Sequence, residues 1–153
     1  MSSIAALTLL LQRAEADRDT ALGVLRAAEA QVAQAQAMAQ QMLSYRSDFQ
    51  QRWTSHFQVS GGPELLACRQ NFGQRLDQVI SHQETEASHL NNRVIRAREV
   101  LLAREQRVAA VRKLIERRQL ELNRAAERRD QRATDEAAQR TLAVAAQRAA
   151  AAR

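Results

Sequence analysis

Aromatic residues are scarce in this 153-residue chain, and all five lie in one short window. They are Tyr45, Phe49, Trp53, Phe57 and Phe72. A compact domain of this length normally packs many aromatic and β-branched side chains, whereas alanine is the commonest apolar residue here. Because burying alanine removes little apolar surface from water, the composition excludes a large globular core and predicts a narrow packing seam.

Residues that break helices are almost as rare. The single proline and the only adjacent glycines fall together in Ser60-Gly61-Gly62-Pro63, and long stretches of Ala, Gln, Glu, Arg and Leu flank them. This pattern predicts an all-α fold in which two long helices form an antiparallel coiled-coil hairpin. We expect one domain, with helix 1 over about residues 3–59, the bend at 60–63 and helix 2 over about 64–146.

The chain has one cysteine, Cys68, which excludes an internal disulfide and fits a reducing compartment. The apolar run Leu9-Leu10-Leu11 is too short for a signal or membrane-spanning segment and is followed by Arg13 and Glu15. We therefore expect a cytoplasmic protein.

Apolar residues recur at alternating steps of three and four in both predicted helices, as in a coiled-coil seam. Thirteen of sixteen positions are apolar in each. In helix 1 they are Ile4, Leu7, Leu11, Ala14, Arg18, Ala21, Leu25, Ala28, Val32, Ala35, Ala39, Met42, Arg46, Phe49, Trp53 and His56. In helix 2 they are Phe72, Leu76, Val79, Gln83, Ala87, Leu90, Val94, Ala97, Leu101, Arg104, Val108, Val111, Ile115, Arg118, Leu122 and Ala125.

Two irregularities in this pattern carry predictions. The steps from Val79 to Gln83 to Ala87 are both four residues long, which predicts a stutter that relaxes the supercoil. After Ala125 the apolar stripe stops while helix-forming residues continue, so we expect a polar end without a packing partner.

Basic charge concentrates in residues 93–118, which contain nine arginine and lysine residues but only three glutamates. That stretch could bind nucleic acid through phosphates, but it contains no aromatic residue for base stacking. A solvated helix face or an acidic protein partner accounts for it better, and we expect no nucleic acid.

Catalytic and metal-binding patterns are weak. Glu86 and His89 form a Glu-x-x-His pair with His82 one heptad away, but the facing segment from Gln34 to Gln41 offers no acid or histidine. No nucleophile–base pair or phosphate loop occurs. We expect no metal, no cofactor and no enzymatic activity.

Met38, Met42, Tyr45 and Phe49 form one stripe at helical spacing, opposite Phe72, Leu76, Val79 and Gln83. A two-helix seam cannot cover so many large side chains, so Met38, Tyr45 and Phe57 should leave an exposed apolar patch. Such patches mark protein-binding sites, and methionine suits an adaptable one.

The seam, the aromatic window around a glycine-containing bend, and the late charged run Glu127–Arg140 together resemble the flagellar export protein FliJ family over nearly the whole chain. The run leads to Asp135-Glu136-Ala137, which is similar to the closing signature of that family. The resemblance implies a cytoplasmic stalk, peripherally associated with the inner membrane, that promotes assembly of the export ATPase ring. It also implies contacts with the export gate membrane protein and with export chaperones.

The resemblance implies two groups of contact residues. The export-gate group is Met38, Met42, Tyr45, Phe49, Phe72, Leu76, Val79 and Gln83. The ATPase-binding end is expected to include Leu7, Leu11, Arg18, Arg118, Leu122, Arg129, Asp135 and Glu136.

Three alternatives stay open from the sequence. The chain could be the stalk of a virulence type III secretion system, or a nucleic-acid-binding hairpin that uses residues 93–118. It could also be a homodimeric coiled coil in which Gly61-Gly62-Pro63 is only a kink, although a monomeric hairpin is expected.

Overall fold

The computed structural model describes residues 3–57 and 62–151, and within those ranges the chain is helical. Helix α1 spans Ile4–Phe57 and helix α2 spans Pro63–Ala151. The starting residue of each helix follows from the sequence. The Ala6 N–H donates to Ser3 Oγ at 3.2 Å, which caps α1. Pro63 is the first residue of α2, where its missing N–H costs nothing.

The prediction of two long helices packed against each other in an all-α hairpin is confirmed. Ser60 and Gly61 of the predicted bend, and the expected last residues of helix 1, lie outside the described residues. The carbonyl of Gly62 accepts hydrogen bonds from the N–H groups of Leu65 and Leu66 at 3.1 and 3.2 Å. Helix α2 continues to Ala151, five residues past the expected 146.

The contacts divide the chain into two compact units. The bend unit comprises residues 16–105, and the terminal unit comprises residues 1–15 with 106–153.

In the bend unit the two helices pack along a seam of small residues. Buried side chains recur at steps of three and four in α1, as predicted, and the buried cluster at the middle of the unit joins both helices. This cluster comprises Leu25, Ala28, Val94 and Ala97, with Val32 and Leu101 packed against it. Alanine at so many seam positions lets the helix axes approach closely but buries little area, so the core is narrow.

Near the bend, the seam of α2 differs from the prediction. Gly73 and Ile80 lie at its seam positions, while Phe72 and Val79 lie one residue to the side. Ile80 is only 8% exposed and Val79 is 47% exposed. The steps of three and four therefore continue unbroken, and the predicted stutter at Val79 is wrong.

The predicted seam positions Phe72, Val79 and His56 are thus exposed in the bend unit. The sequence reasoning preferred Phe72 to the neighbouring Gly73, and a heptad counted from Phe72 then leads to Val79 rather than Ile80. The Phe72 ring still packs across the seam, with its centroid 4.5 Å from that of Phe49.

In the terminal unit, Ala14, Val108 and Val111 are buried at predicted seam positions. An ion pair between Glu15 and Arg112 joins the two segments at 2.6 Å. Leu122 was expected in the seam but is exposed. From residue 126 to residue 151 every side chain is exposed, which confirms that the packed stripe ends at Ala125.

Candidate partner-binding surface

The regular seam of the bend unit defines two flanks on each helix. In heptad notation the seam holds positions a and d, and the residues beside it are g, just before a, and e, just after d. With Ala39 and Gly73 as a positions, Met38 and Tyr45 are g residues of α1, and Phe72 and Val79 are g residues of α2. We refer to the side of the unit that carries these residues as the g flank and to the opposite side as the e flank.

The e flank carries charged side chains that pair between the two helices. Glu29 and Arg98, both at e positions, form an ion pair of 3.0 Å between the helices. Closer to the bend, Arg46 pairs with Asp77, again an e residue, at 3.3 Å. Because these side chains remain largely solvated, each pair adds less than about 1 kcal/mol to stability. Their main effect is to fix which residues of the two helices face each other.

The g flank is apolar instead. Exposed large hydrophobic side chains occupy seven of its twelve positions, three of six on α1 and four of six on α2. They are Val24, Met38, Tyr45, Leu65, Phe72, Val79 and Val100. Only Leu43 represents this class among the e positions of the described part of the bend unit. The unit therefore presents one flank with solvated charged pairs and another whose exposed apolar side chains suit protein contact.

All eight residues predicted for the export gate lie in the bend unit. Half of them, Met42, Phe49, Leu76 and Gln83, occupy d positions and are partly buried. The other half are the g residues Met38, Tyr45, Phe72 and Val79, and all four are exposed. Tyr45 is 61% exposed and Phe72 is 39% exposed. The expected exposure of Met38 and Tyr45 is confirmed, and the side chain of Phe57 lies outside the described residues.

An aromatic cavity lies on the same flank next to the bend. It has a volume of about 360 Å³ and is lined by Phe49, Arg52, Trp53, His56 and Leu65. Phe49 and Trp53 meet edge to face, with ring centroids 5.9 Å apart at 67°. Such a pair forms a rigid apolar wall. This cavity adds Leu65 and Trp53 to the surface that the sequence reasoning had identified.

The residues predicted for the ATPase-binding end do not form one group. Arg18 lies in the bend unit and contacts Asp19 at 2.7 Å, whereas the other seven lie in the terminal unit. Leu7, Leu11 and Arg118 are half-buried there. Leu122, Arg129, Asp135 and Glu136 are exposed, and Glu136 pairs with Arg140 at 3.6 Å along the helix.

Three further features of residues 3–57 and 62–151 bear on what the chain can bind. No group of three histidine, cysteine or carboxylate side chains lies close enough to hold a metal ion, and His82, Glu86 and His89 do not form one. No helix in these ranges combines the length and the apolarity that a membrane crossing requires. Cys68 is exposed and unbonded.

Sequence reasoning missed the extension of the apolar flank along the helices. Val24 and Val100 lie at g positions far from the bend, yet both are exposed. The available signal was the heptad itself, because once the seam is regular the residue before each a position falls on one flank.

An all-α hairpin with one charged flank and one apolar flank is a module for contact with other proteins, since it exposes side chains along its length rather than enclosing a substrate. The chain matches the family described as "Flagellar FliJ protein" over residues 2–147. It therefore belongs to the flagellar FliJ family, a non-catalytic component of flagellar protein export. No curated protein and no solved structure matches it.

Proposed function

We propose that this chain is a non-enzymatic stalk and coupling protein of the flagellar type III export apparatus. In this role it promotes assembly of the export ATPase ring and contacts the export gate and the export chaperones. It acts in the cytoplasm at the inner membrane. The observation that carries the proposal is the family match over residues 2–147, together with the apolar g flank. The match favours the flagellar system over a virulence secretion system.

The gate contact is proposed for the g flank near the bend. Met38, Tyr45, Phe72 and Val79 are exposed there on both helices, so a partner can cover them without unfolding the hairpin. The d residues behind them are half-buried and support the surface from below. Aromatic and methionine side chains supply most of the contact area, which is typical of interfaces with a few dominant residues.

The ATPase contact is proposed for the terminal unit. Its α2 segment continues well past the last packed residue, Ala125, and exposes Arg129, Asp135 and Glu136 to solvent. Leu7 and Leu11 are half-buried, so we assign them to the packing that supports this surface.

A matched set of alanine variants tests the gate contact. Tyr45→Ala and Val79→Ala remove g-flank side chains, and Leu43→Ala removes an exposed apolar side chain from the e flank of the same unit. Binding to the cytoplasmic part of the export gate protein is measured by calorimetry, with helicity followed by circular dichroism. Each g-flank variant is expected to weaken binding about tenfold, which corresponds to about 1.4 kcal/mol. Leu43→Ala should change it less than about twofold.

Equal affinity for all three variants would refute the proposed gate surface while leaving the family assignment intact. The ring-assembly role is tested separately by sedimentation of the export ATPase with and without this chain. Ring formation that does not depend on the chain would refute that part of the proposal.

A further inference from the structure

A second cavity of the g flank, a groove, lies away from the predicted gate residues, in the stem of the bend unit. It has a volume of about 550 Å³. Its floor includes the buried seam residues Ala21 and Ala97, and its walls include Val24 and Val100. Because the floor residues are alanines, which fill little space, the groove has room for side chains of a partner helix between the two valines.

Arginine surrounds this apolar strip. Arg93, Arg96 and Arg104 line the groove, and Asp17 is the one acid that lines it. Arg104 approaches Asp17 at 3.9 Å, a distance that leaves most of its hydrogen-bonding capacity unused. Arg93 and Arg96 are exposed and form no ion pair with any residue of 3–57 or 62–151. The groove thus has an excess of two positive charges.

The grooves of the e flank differ in this respect. One of about 430 Å³ is lined by Glu29 and Arg98, which neutralise each other. Another of about 450 Å³ contains the pair between Arg46 and Asp77 and is also lined by Arg69, so its excess is one positive charge. An excess of two positive charges beside exposed valines therefore distinguishes the stem groove from these two grooves.

We propose that the stem groove binds an acidic amphipathic α-helix of a partner protein. Carboxylates of that helix would pair with Arg93 and Arg96, whose planar guanidinium groups bind carboxylates in a bidentate manner. Its apolar side chains would cover Val24 and Val100, as in other complexes in which a helix lies in a groove. This site is distinct from the gate surface. Its arginines require an acidic partner, and its valines require an apolar one.

A nucleic acid fits the groove less well. A phosphate backbone would satisfy the arginines, but it has no apolar surface to cover the valines, and Asp17 would repel it. No aromatic side chain lines the groove for base stacking. Binding of a nucleic acid is therefore the alternative result that the test below can detect.

The test measures fluorescence anisotropy of the full chain with designed probes. The first probe is a helical peptide of about 18 residues, or five turns, with leucine at seam spacing and glutamate elsewhere. The second has lysine in place of glutamate, and the third is a short single-stranded oligonucleotide. We expect the acidic peptide to bind at least about tenfold more tightly than either of the other probes.

Two pairs of variants locate the binding. Arg93→Ala/Arg96→Ala is compared with Arg124→Ala/Arg128→Ala, which removes the same charge from exposed positions of the terminal unit. Val100→Ser is compared with Leu102→Ser, because these neighbours are similarly exposed, at 49% and 56%, and only Val100 lines the groove. Circular dichroism verifies that each variant keeps its helicity.

Both groove variants are expected to lose about tenfold in affinity for the acidic peptide, and both controls less than about threefold. Equal losses in groove and control variants would overturn the proposal, because binding would then reflect overall charge. Tighter binding of the oligonucleotide, with a steep dependence on salt, would replace the helix with a nucleic acid.

Discussion

The position of the seam near the bend can be tested with two adjacent residues. Ile80 and Val79 are both β-branched and differ by one methylene, yet Ile80 is 8% exposed and Val79 is 47% exposed. Truncating each to alanine removes apolar carbon from the seam in one variant and from the flank in the other. The two variants therefore serve as controls for each other.

The magnitudes follow from burial. Ile80→Ala removes three buried carbons at about 0.8 kcal/mol each, or about 2.4 kcal/mol, and alanine returns about 0.4 kcal/mol through its higher helix propensity. The net cost in the free energy of unfolding is about 2 kcal/mol. Val79→Ala removes two carbons that are half exposed, or about 0.8 kcal/mol, and regains about 0.6 kcal/mol, so it is nearly neutral.

Urea unfolding followed by circular dichroism distinguishes the two variants. With a denaturant slope of about 2 kcal/mol per molar, Ile80→Ala should lower the midpoint by about 1 M and Val79→Ala by about 0.1 M. A larger shift for Val79→Ala would mean that the stutter predicted from sequence is right and that the regular seam is wrong.

Two further stability predictions follow from exposed positions. Gly23→Ala should raise the free energy of unfolding by about 0.5–1 kcal/mol, since a Cβ there meets no atom within 4 Å and alanine is the better helix former; an unchanged or lower urea midpoint would contradict this. Ending the chain after Ala125 should leave the midpoint within about 0.2 M of the full chain while the helical signal falls, because residues 126–151 are exposed throughout. A clear fall in the midpoint would show that this segment contributes packing energy.

The hairpin could be predicted from the sequence because the features that produce it are local in the chain. A single Gly-Gly-Pro site between two stretches of helix formers permits one interruption, and the steps of three and four in α1 follow the observed burial from Ile4 to Trp53. In α1 each seam residue is flanked mostly by alanine or polar residues near the bend, so the choice of stripe is clear.

The seam of α2 near the bend could not be read in the same way. Apolar residues occur in adjacent positions there, as in Val79-Ile80, and both choices give acceptable spacing. Preferring Phe72 to Gly73 is reasonable from hydrophobicity alone. In the structure Gly73 occupies the seam position, while the ring of Phe72 packs on Phe49 from beside the seam. That arrangement depends on both helices together, and no single-helix pattern contains it.

The apolar side chains of the g flank are not needed for folding. If Val79→Ala is nearly neutral, the exposed side chains of this flank add little to folding, and they would lower solubility if nothing covered them. The e flank shows that the same seam is compatible with paired charges, since Glu29 and Arg98 hold the helices in register there. Folding alone therefore does not require an apolar flank. We propose that contact with partner proteins accounts for it, through aromatic side chains near the bend and through Val24, Val100, Arg93 and Arg96 in the stem.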